Sequence, residues 1–323
     1  MYSFSIAIRS LGKSPTLKPL LEDIFNQSVK PDKVIIFIPE GVEIPSFRVE
    51  SEIYLHTQKG MMHQRLLPYK EISSDYLLML DDDVALSPDS VEKLLNAMQE
   101  NNADLVGADT FQNHKLPLST KIMAAVTNLV FPHTSQKWAF KIHGNGSFSY
   151  IANPRKKYYP SQSCAGNAML WKMEAYRSLK MQDELWLDAL PFAYFDDMLE
   201  SYKVFKNGLN LGIVVNSGIA HLDARSASDI FRTDPSKFKY RTMAQIAIWW
   251  RTSFKPGNTD FFQKSWTTLS FSLKMIWSAL LFFSLSLAKL DFSYISNFMK
   301  GVADGWNFVH SESFSSLPPY VVR

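Results

Sequence analysis

Cysteine is nearly absent from this chain, blocks of like charge are missing, and no uncharged apolar run is long. Each shortage excludes something. The one cysteine among 323 residues, Cys164, cannot close an intramolecular disulfide, so a disulfide-stapled secreted fold is ruled out and a reducing, cytoplasmic setting is expected. With 13 glycines, 16 prolines and 46% hydrophobic residues, the composition is neither collagen-like nor disordered, and the length allows one large domain or two smaller ones. The segment Met1–Ile8 carries neither a basic n-region nor a long apolar h-region, so no secretory signal is expected. In the last quarter the uncharged stretch 275–288, bracketed by Lys274 and Lys289, would extend about 21 Å as a helix, against about 30 Å of bilayer hydrocarbon. That disfavours a regular transmembrane helix unless it reaches back to Thr267 and tolerates Lys274.

The formal charge of +3 conceals an asymmetry. Residues 237–323 hold ten Lys and Arg against four acids, a net of +6, which leaves 24 against 27, a net of −3, for residues 1–236. Five of the eight tryptophans also lie in that last quarter. An acidic-leaning front and a basic, aromatic-rich tail therefore need separate readings. The expected division is 1–235 and 236–323.

In the front, apolar runs at 2–8, 33–38, 75–80 and 104–108 read as strands buried on both faces, with a weaker strand at 52–56. Between them lie helices that Ser14-Pro15 and Ser87-Pro88 are expected to cap, and a further helix over 60–72 interrupted at Pro68. Alternating strands and helices with short links predict a right-handed βαβ succession, an α/β fold with an open, mostly parallel sheet. Residues 110–163 lack periodicity and read as an insertion over the sheet. Strand signals resume at 164–171 and 211–215.

The densest chemistry is Asp81-Asp82-Asp83 at the carboxyl end of a strand. Three adjacent carboxylates repel one another, and a divalent cation relieves that repulsion. Alternate residues of an extended chain share a side, so Asp81 and Asp83 could meet one Mg²⁺ or Mn²⁺. The bland alternative is a set of solvated acids flanking the next helix. A calcium loop fails because Leu86 stands where its turn needs glycine. A second acidic centre, Asp196-Asp197, begins a helix, where acids serve as simple caps. In an apolar, aromatic surround they would instead form a general base. His221 follows the strand at 211–215 and is either structural or a metal ligand.

The order of these features resembles glycosyltransferase family 2, the inverting GT-A enzymes, over roughly residues 3–225. The motifs are Ile8-Arg9-Ser10, Lys59-Gly60 with Arg65, Asp81-Asp82-Asp83, Gly166-Asn167, Asp196-Asp197 and His221. The resemblance implies a nucleotide-sugar donor, with Asp83 as the metal ligand, Asp81 on the ribose or base side and also near the metal, Asp82 between them, and His221 completing the metal site. It implies Arg65 facing the nucleotide, Gly166 and Asn167 lining the sugar, and Asp197 as base with Asp196 beside it. Three departures stand out: Glu40 where many members carry an Asp after the second strand, Asp196 in place of the commoner Glu, and Ile8-Arg9-Ser10-Leu11 in place of a Pro-Xaa-Tyr-Asn loop.

The tail reads as helices at 244–250, 261–273, 275–290 and 295–302. Either they pack on the catalytic domain, or they form a monotopic segment on an anionic membrane that brings the protein to a glycan or lipid-linked acceptor. The basic residues are dispersed singly, which argues against nucleic acid. The expected function is a metal-dependent inverting glycosyltransferase of surface polysaccharide assembly, peripheral at the inner face of the cell membrane. The alternatives are a catalytically silent GT-A-like scaffold and a nucleotidyltransferase. The lack of a Gly-rich loop with a lysine near the first strand opposes the latter.

Overall fold

The computed structural model describes residues 3–67, 69, 72–110, 122, 125–126, 128–130, 136–151, 153–222, 234–255 and 260–322. Its centre is an eight-stranded sheet of order β3-β2-β1-β4-β10-β6-β11-β9, built from β1 (Phe4–Arg9), β2 (Lys33–Pro39), β3 (Ile53–Thr57), β4 (Tyr76–Asp81), β6 (Leu105–Ala108), β9 (Tyr158–Pro160), β10 (Ala168–Lys172) and β11 (Leu211–Val214). Neighbours among β1 to β4 are parallel, as are β6 and β11. By contrast β10 runs antiparallel between β4 and β6, and β9 is antiparallel to β11. The fold is α/β of the expected mostly parallel, open type.

The continuous apolar runs are explained by two cores, one on each side of the sheet. Ile6, Ile8, Ile36, Leu78 and Leu80 face one core, which helices α1 (Leu17–Phe25) and α2 (Ser90–Glu100) complete with Leu17, Leu21, Leu94 and Leu95. The alternate residues Ala7, Ile35, Phe37, Leu77 and Met79 face the other. There they meet α3 (Met173–Ser178), α4 (Asp196–Lys206) and the tail helices α5 (Ser236–Trp249), α6 (Phe261–Lys289), α7 (Ser293–Val309) and α8 (Glu312–Ser315). The tail thus contributes Ala244, Trp249, Phe271, Val309 and Tyr320 to the same core as the sheet.

Several local expectations change. Ser14 does not cap α1; Ser14 and Thr16 turn their hydroxyls to the Asp82 carbonyl, at 3.4 and 2.6 Å, and so tie the helix entrance to the acidic turn. Residues 60–65 form turns rather than a helix. Asp188 holds them by accepting the Met62 and His63 backbone N–H groups at 3.0 and 2.9 Å and pairing with His63 Nδ1 at 2.7 Å, and a side chain at Gly60 would collide with its carboxylate. The expected break at Pro68 lies outside the described residues, as do 111–121 and 131–135 of the insertion.

The largest correction concerns the tail. The helices expected at 261–273 and 275–290 are one 29-residue helix, α6, with a mean hydropathy of 1.6 over its most apolar window. Lys274 does not interrupt it because that side chain turns inward, where burial first and Arg241 second bring its pKa down to about 7. By length and composition α6 could cross a membrane.

Candidate active site

The parallel register of β1 and β4 sets Arg9 directly opposite Asp81. Both lie two residues beyond positions that face the second core, Ala7 and Met79, so both side chains emerge on that side. Arg9 forks onto Asp81 through Nε and Nη2, the latter at 2.8 Å, and its Nη1 reaches Asp196 Oδ2 at 3.2 Å. Arg65, delivered by the turn that Asp188 holds, donates from Nη1 to Asp196 at 2.9 Å and from Nη2 to Asp81 at 3.3 Å. Two guanidinium groups therefore bridge the two acidic centres that sequence spacing keeps apart. Buried charge is tolerated only when paired in this way. Burial pushes the Asp81 carboxyl up, but Arg9 and Arg65 together overcome it and hold the group below its usual range.

Gly166 and Asn167 complete the wall. Arg65 Nη2 donates to the Gly166 carbonyl at 3.0 Å, and a Cβ at Gly166 would lie 2.5 Å from Arg65 Nη1. Only glycine lets the guanidinium pass. Asn167 accepts the Asp81 backbone N–H through its carbonyl at 3.1 Å. Its buried side-chain Nδ2 has no hydrogen-bond partner among the described residues.

Asp196 and Asp197 open α4 after an unusual approach. Phe192, Ala193 and Phe195 have φ of 71°, 40° and 66°, in a region that L side chains rarely adopt. That path turns the first helical residues back toward the carboxyl edge of the sheet. Asp197 accepts the Met198 N–H at 2.7 Å, and burial first, then the Asp196 charge, pushes its pKa up to about 6. One turn later Glu200 is fully buried, with no hydrogen bond to either carboxyl oxygen among the described residues and Arg65 Nη1 at 3.6 Å. Burial pushes its pKa up to about 8, although Arg65 opposes the shift.

The remaining acids diverge. Asp82 turns to the other side, where it accepts a hydrogen bond from Ser10, and burial raises its pKa. Asp83 leads into a small ribbon in which β5 (Val84–Leu86) pairs antiparallel with β12 (Ile219–His221), setting His221 opposite Val84. His221 Nε2 consequently lies 3.0 Å from Asp83 Oδ2. The other Asp83 oxygen is buried without a hydrogen-bond partner among the described residues. A carboxylate with one spare oxygen beside an imidazole is a donor set suited to a divalent cation.

Both oxygens of Asp81, expected near the metal, accept hydrogen bonds from arginines. Among the described residues no group of three or more His, Cys, Asp and Glu is gathered as for a metal. Glu40 is exposed in the turn after β2, two strands from Asp81. A surface cleft of about 330 Å³ beside Ser74, Asp75, Lys172 and Arg177 opens at the opposite end of β4 and takes no part in this site.

Residues 50–172 match the family described as Glycosyl transferase family 2. The match covers 123 of the 323 residues, so over that part the chain is similar to the family. The glycosyltransferase YwdF of Bacillus subtilis, itself called uncharacterized, is 26% identical over 132 residues, which cover 37% of this chain and 49% of the relative. The chain thus matches about half the length of that curated relative. Among solved structures, S. aureus TarS 1–349 aligns over 96% of this chain and 82% of its own, with a TM-score of 0.52 and 14% identity, and supports the GT-A type of fold. The mannosyltransferase PcManGT from Pyrobaculum calidifontis, solved with GDP-Man and Mn²⁺, aligns over 95% and 88% with a TM-score of 0.49 and 10% identity, too distant to speak for this chain's ligands.

Two members of the constellation were not singled out from sequence. Arg9 had stood as part of a departure from the family loop, yet its pairing with Asp81 follows once β1 and β4 are taken as parallel neighbours. Glu200 lies four residues after Asp196, on the same helix face, and that spacing was its available signal.

Proposed function

We propose that the chain is a metal-dependent inverting glycosyltransferase that moves a sugar from a nucleoside-diphosphate donor to a hydroxyl of a glycan or lipid-linked acceptor in surface polysaccharide assembly. It would work in the cytoplasm, peripheral at the inner face of the cell membrane. The supporting observation is the arginine-bridged pairing of Asp81 with Asp196, beside a half-buried Asp197 whose pKa is pushed up to about 6.

Asp197 takes the proton of the acceptor hydroxyl as that oxygen attacks the anomeric carbon. The new C–O bond forms on the face opposite the diphosphate, whose own bond to the anomeric carbon breaks with inversion. A carboxylate with a pKa near 6 is ionised at neutral pH and more basic than an exposed one. Arg9 and Arg65 fix Asp81 and Asp196 on either side of the reacting centre, and their positive charge faces the donor's diphosphate. Asp83 and His221 would hold the divalent ion, which when bound offsets charge on the departing diphosphate. Asn167, whose amide N–H₂ has no partner among the described residues, is placed to donate to a sugar hydroxyl.

The test is a thermal-shift screen of nucleoside diphosphates and nucleotide sugars with and without Mn²⁺, since a ligand of the native state raises the melting temperature. The reading expects a Mn²⁺-dependent rise with one nucleotide class, and its loss in Asp83→Asn. No shift with any nucleotide would return the chain to the scaffold alternative.

A further inference from the structure

Among the described residues, nothing covers one side of α6. Trp266, Leu269, Leu273, Ile276, Leu280 and Phe283 recur at alternating steps of three and four, and each is 47–68% exposed. From Ser265 to Ala288 every exposed residue of the helix is uncharged. Phe292, just before α7, and Met299 and Trp306 on it are exposed as well and repeat every seven residues. Singly scattered apolar residues on a surface are ordinary, whereas a continuous charge-free face of this length marks a contact.

The opposite side of α6 is held by protein along most of its length. Phe271 stacks on Trp249 with ring centroids 3.9 Å apart, and Phe282 packs between Phe238 and Phe298 at 5.0 Å from each. Trp277 Nε1 donates to the Val126 carbonyl at 2.6 Å, and Ser286 Oγ accepts the Ile295 N–H at 3.1 Å. A helix crossing a bilayer through this stretch would carry α5, α7 and the buried Lys274 into hydrocarbon with it, which is costly. A helix with one face on protein and the other bare fits an interface plane instead.

A second copy of the chain is the competing occupant, because steps of three and four also make a coiled-coil seam. Charge decides against it. At its surface helix α6 carries Lys264 and Lys289 and no acid, so pairing with itself in either direction offers these lysines no carboxylate on the partner helix. Exposed Lys264, Lys289 and Lys300 complement anionic lipid, and Trp266 and Trp306 are side chains favoured at head-group depth.

We infer that the outward face of α6 lies flat in the head-group layer of an anionic bilayer, as an in-plane anchor of the whole chain. This deepens the membrane-side part of the proposed function and does not depend on its transfer chemistry.

The experiment is flotation of the full chain with vesicles of phosphatidylcholine, alone or with about a quarter phosphatidylglycerol. Wild type is expected to bind the anionic vesicles at least about tenfold better. The combined variant Leu273→Glu, Ile276→Glu, Leu280→Glu is expected to lose that binding by at least about tenfold with unchanged circular dichroism. Wild type that does not float, or a variant that floats equally, overturns the inference. So does a wild-type dimer in lipid-free buffer that the variant converts to monomer, which gives the face to a second copy. Orientation is read from an environment-sensitive fluorophore on Leu269→Cys, Ile276→Cys or Leu287→Cys, Cys164 being buried. The in-plane anchor predicts similar blue shifts at all three positions, whereas a deep Ile276 label between wet ends indicates a span and overturns it. Intact flotation with no nucleotide-dependent thermal shift would sink the proposed chemistry and leave the anchor standing.

Discussion

Glu184 and Glu200 are equally inaccessible to water, yet their surroundings treat them in opposite ways. Glu184 receives Lys203 Nζ and Arg251 Nη2 at 2.8 Å, Arg251 Nε at 3.0 Å and Trp186 Nε1 at 2.8 Å. Those partners overcome burial and hold its carboxyl below the usual range. Among the described residues Glu200 receives no hydrogen bond; it shares Arg65 with Asp81 and Asp196, and burial pushes it up to about 8. The difference lies in the balance of charge. Around Glu184 two cations serve one carboxylate, whereas at the candidate active site Arg9 and Arg65 serve Asp81 and Asp196 with Asp197 and Glu200 close behind. The first centre is complete and acts as a latch: Arg251 also donates to the Pro318 carbonyl, and the nearby Tyr320 hydroxyl donates to Leu199 O at 2.6 Å, tying the end of the chain to α4. The second is short of positive charge, with two guanidinium groups set among four carboxyls.

The largest effect should come from breaking the incomplete centre. Asp197→Asn keeps the shape and removes the base, and is expected to lower kcat by about 10²–10⁴-fold with the melting temperature nearly unchanged. Transfer at the wild-type rate would end the base assignment. Breaking the complete centre should do the reverse. Glu184→Ala strands Lys203 and Arg251 without a counter-ion, and a buried pair broken on one side costs about 3–5 kcal/mol. Urea denaturation checks this, and a loss under about 1 kcal/mol would mean that the centre is not the latch.

Much of this contrast was legible beforehand. The apolar runs fixed the strands of β1, β2, β4 and β6 because a strand covered on both faces has little choice of residue. Asp81–Asp83, Asp196-Asp197, Arg65 and His221 were all singled out, since carboxylates at a strand end are conspicuous. What stayed hidden depended on pairing across long separations. Arg9 is 187 residues from Asp196, and only the register of β1 on β4 and the path through Phe192–Phe195 join them. The antiparallel insertion of β10 between β4 and β6 carries no distinct local pattern, because a central strand is apolar in either direction. Lys274 misled for a related reason: a charge in sequence signals a break, and burial removes that meaning.

The pH dependence of stability sharpens the comparison further. Glu200 has a folded pKa of about 8 against an ordinary value of 4.5. The folded state thus binds more protons between those values, and stability is fully present below about 4.5 and lost as pH rises through about 8. Glu184 has the opposite sign: its contribution is present above the ordinary range and lost as pH falls through its lowered folded pKa. Glu200→Gln mimics the protonated acid, so it should flatten the decline between about pH 5 and 8 by an amount on the order of a few kcal/mol. Unfolding free energies across that range measure it, and an unchanged slope would show Glu200 ionised in the native protein.

The smallest expected effect separates geometry from charge within the incomplete centre. Arg9→Lys keeps the positive charge but loses the planar fork that grips both Asp81 oxygens while reaching Asp196. If Arg9 acts by charge alone, the lysine variant should match wild type. If it acts by holding two carboxylates at fixed positions, kcat should fall about tenfold while the unfolding free energy moves by about 1 kcal/mol. The second outcome is expected, because a lysine ammonium cannot span from β4 to α4 with paired hydrogen bonds. Equal loss in Arg9→Lys and Arg9→Met would tie the role to the fork, whereas full rescue by lysine would reduce Arg9 to a counter-charge.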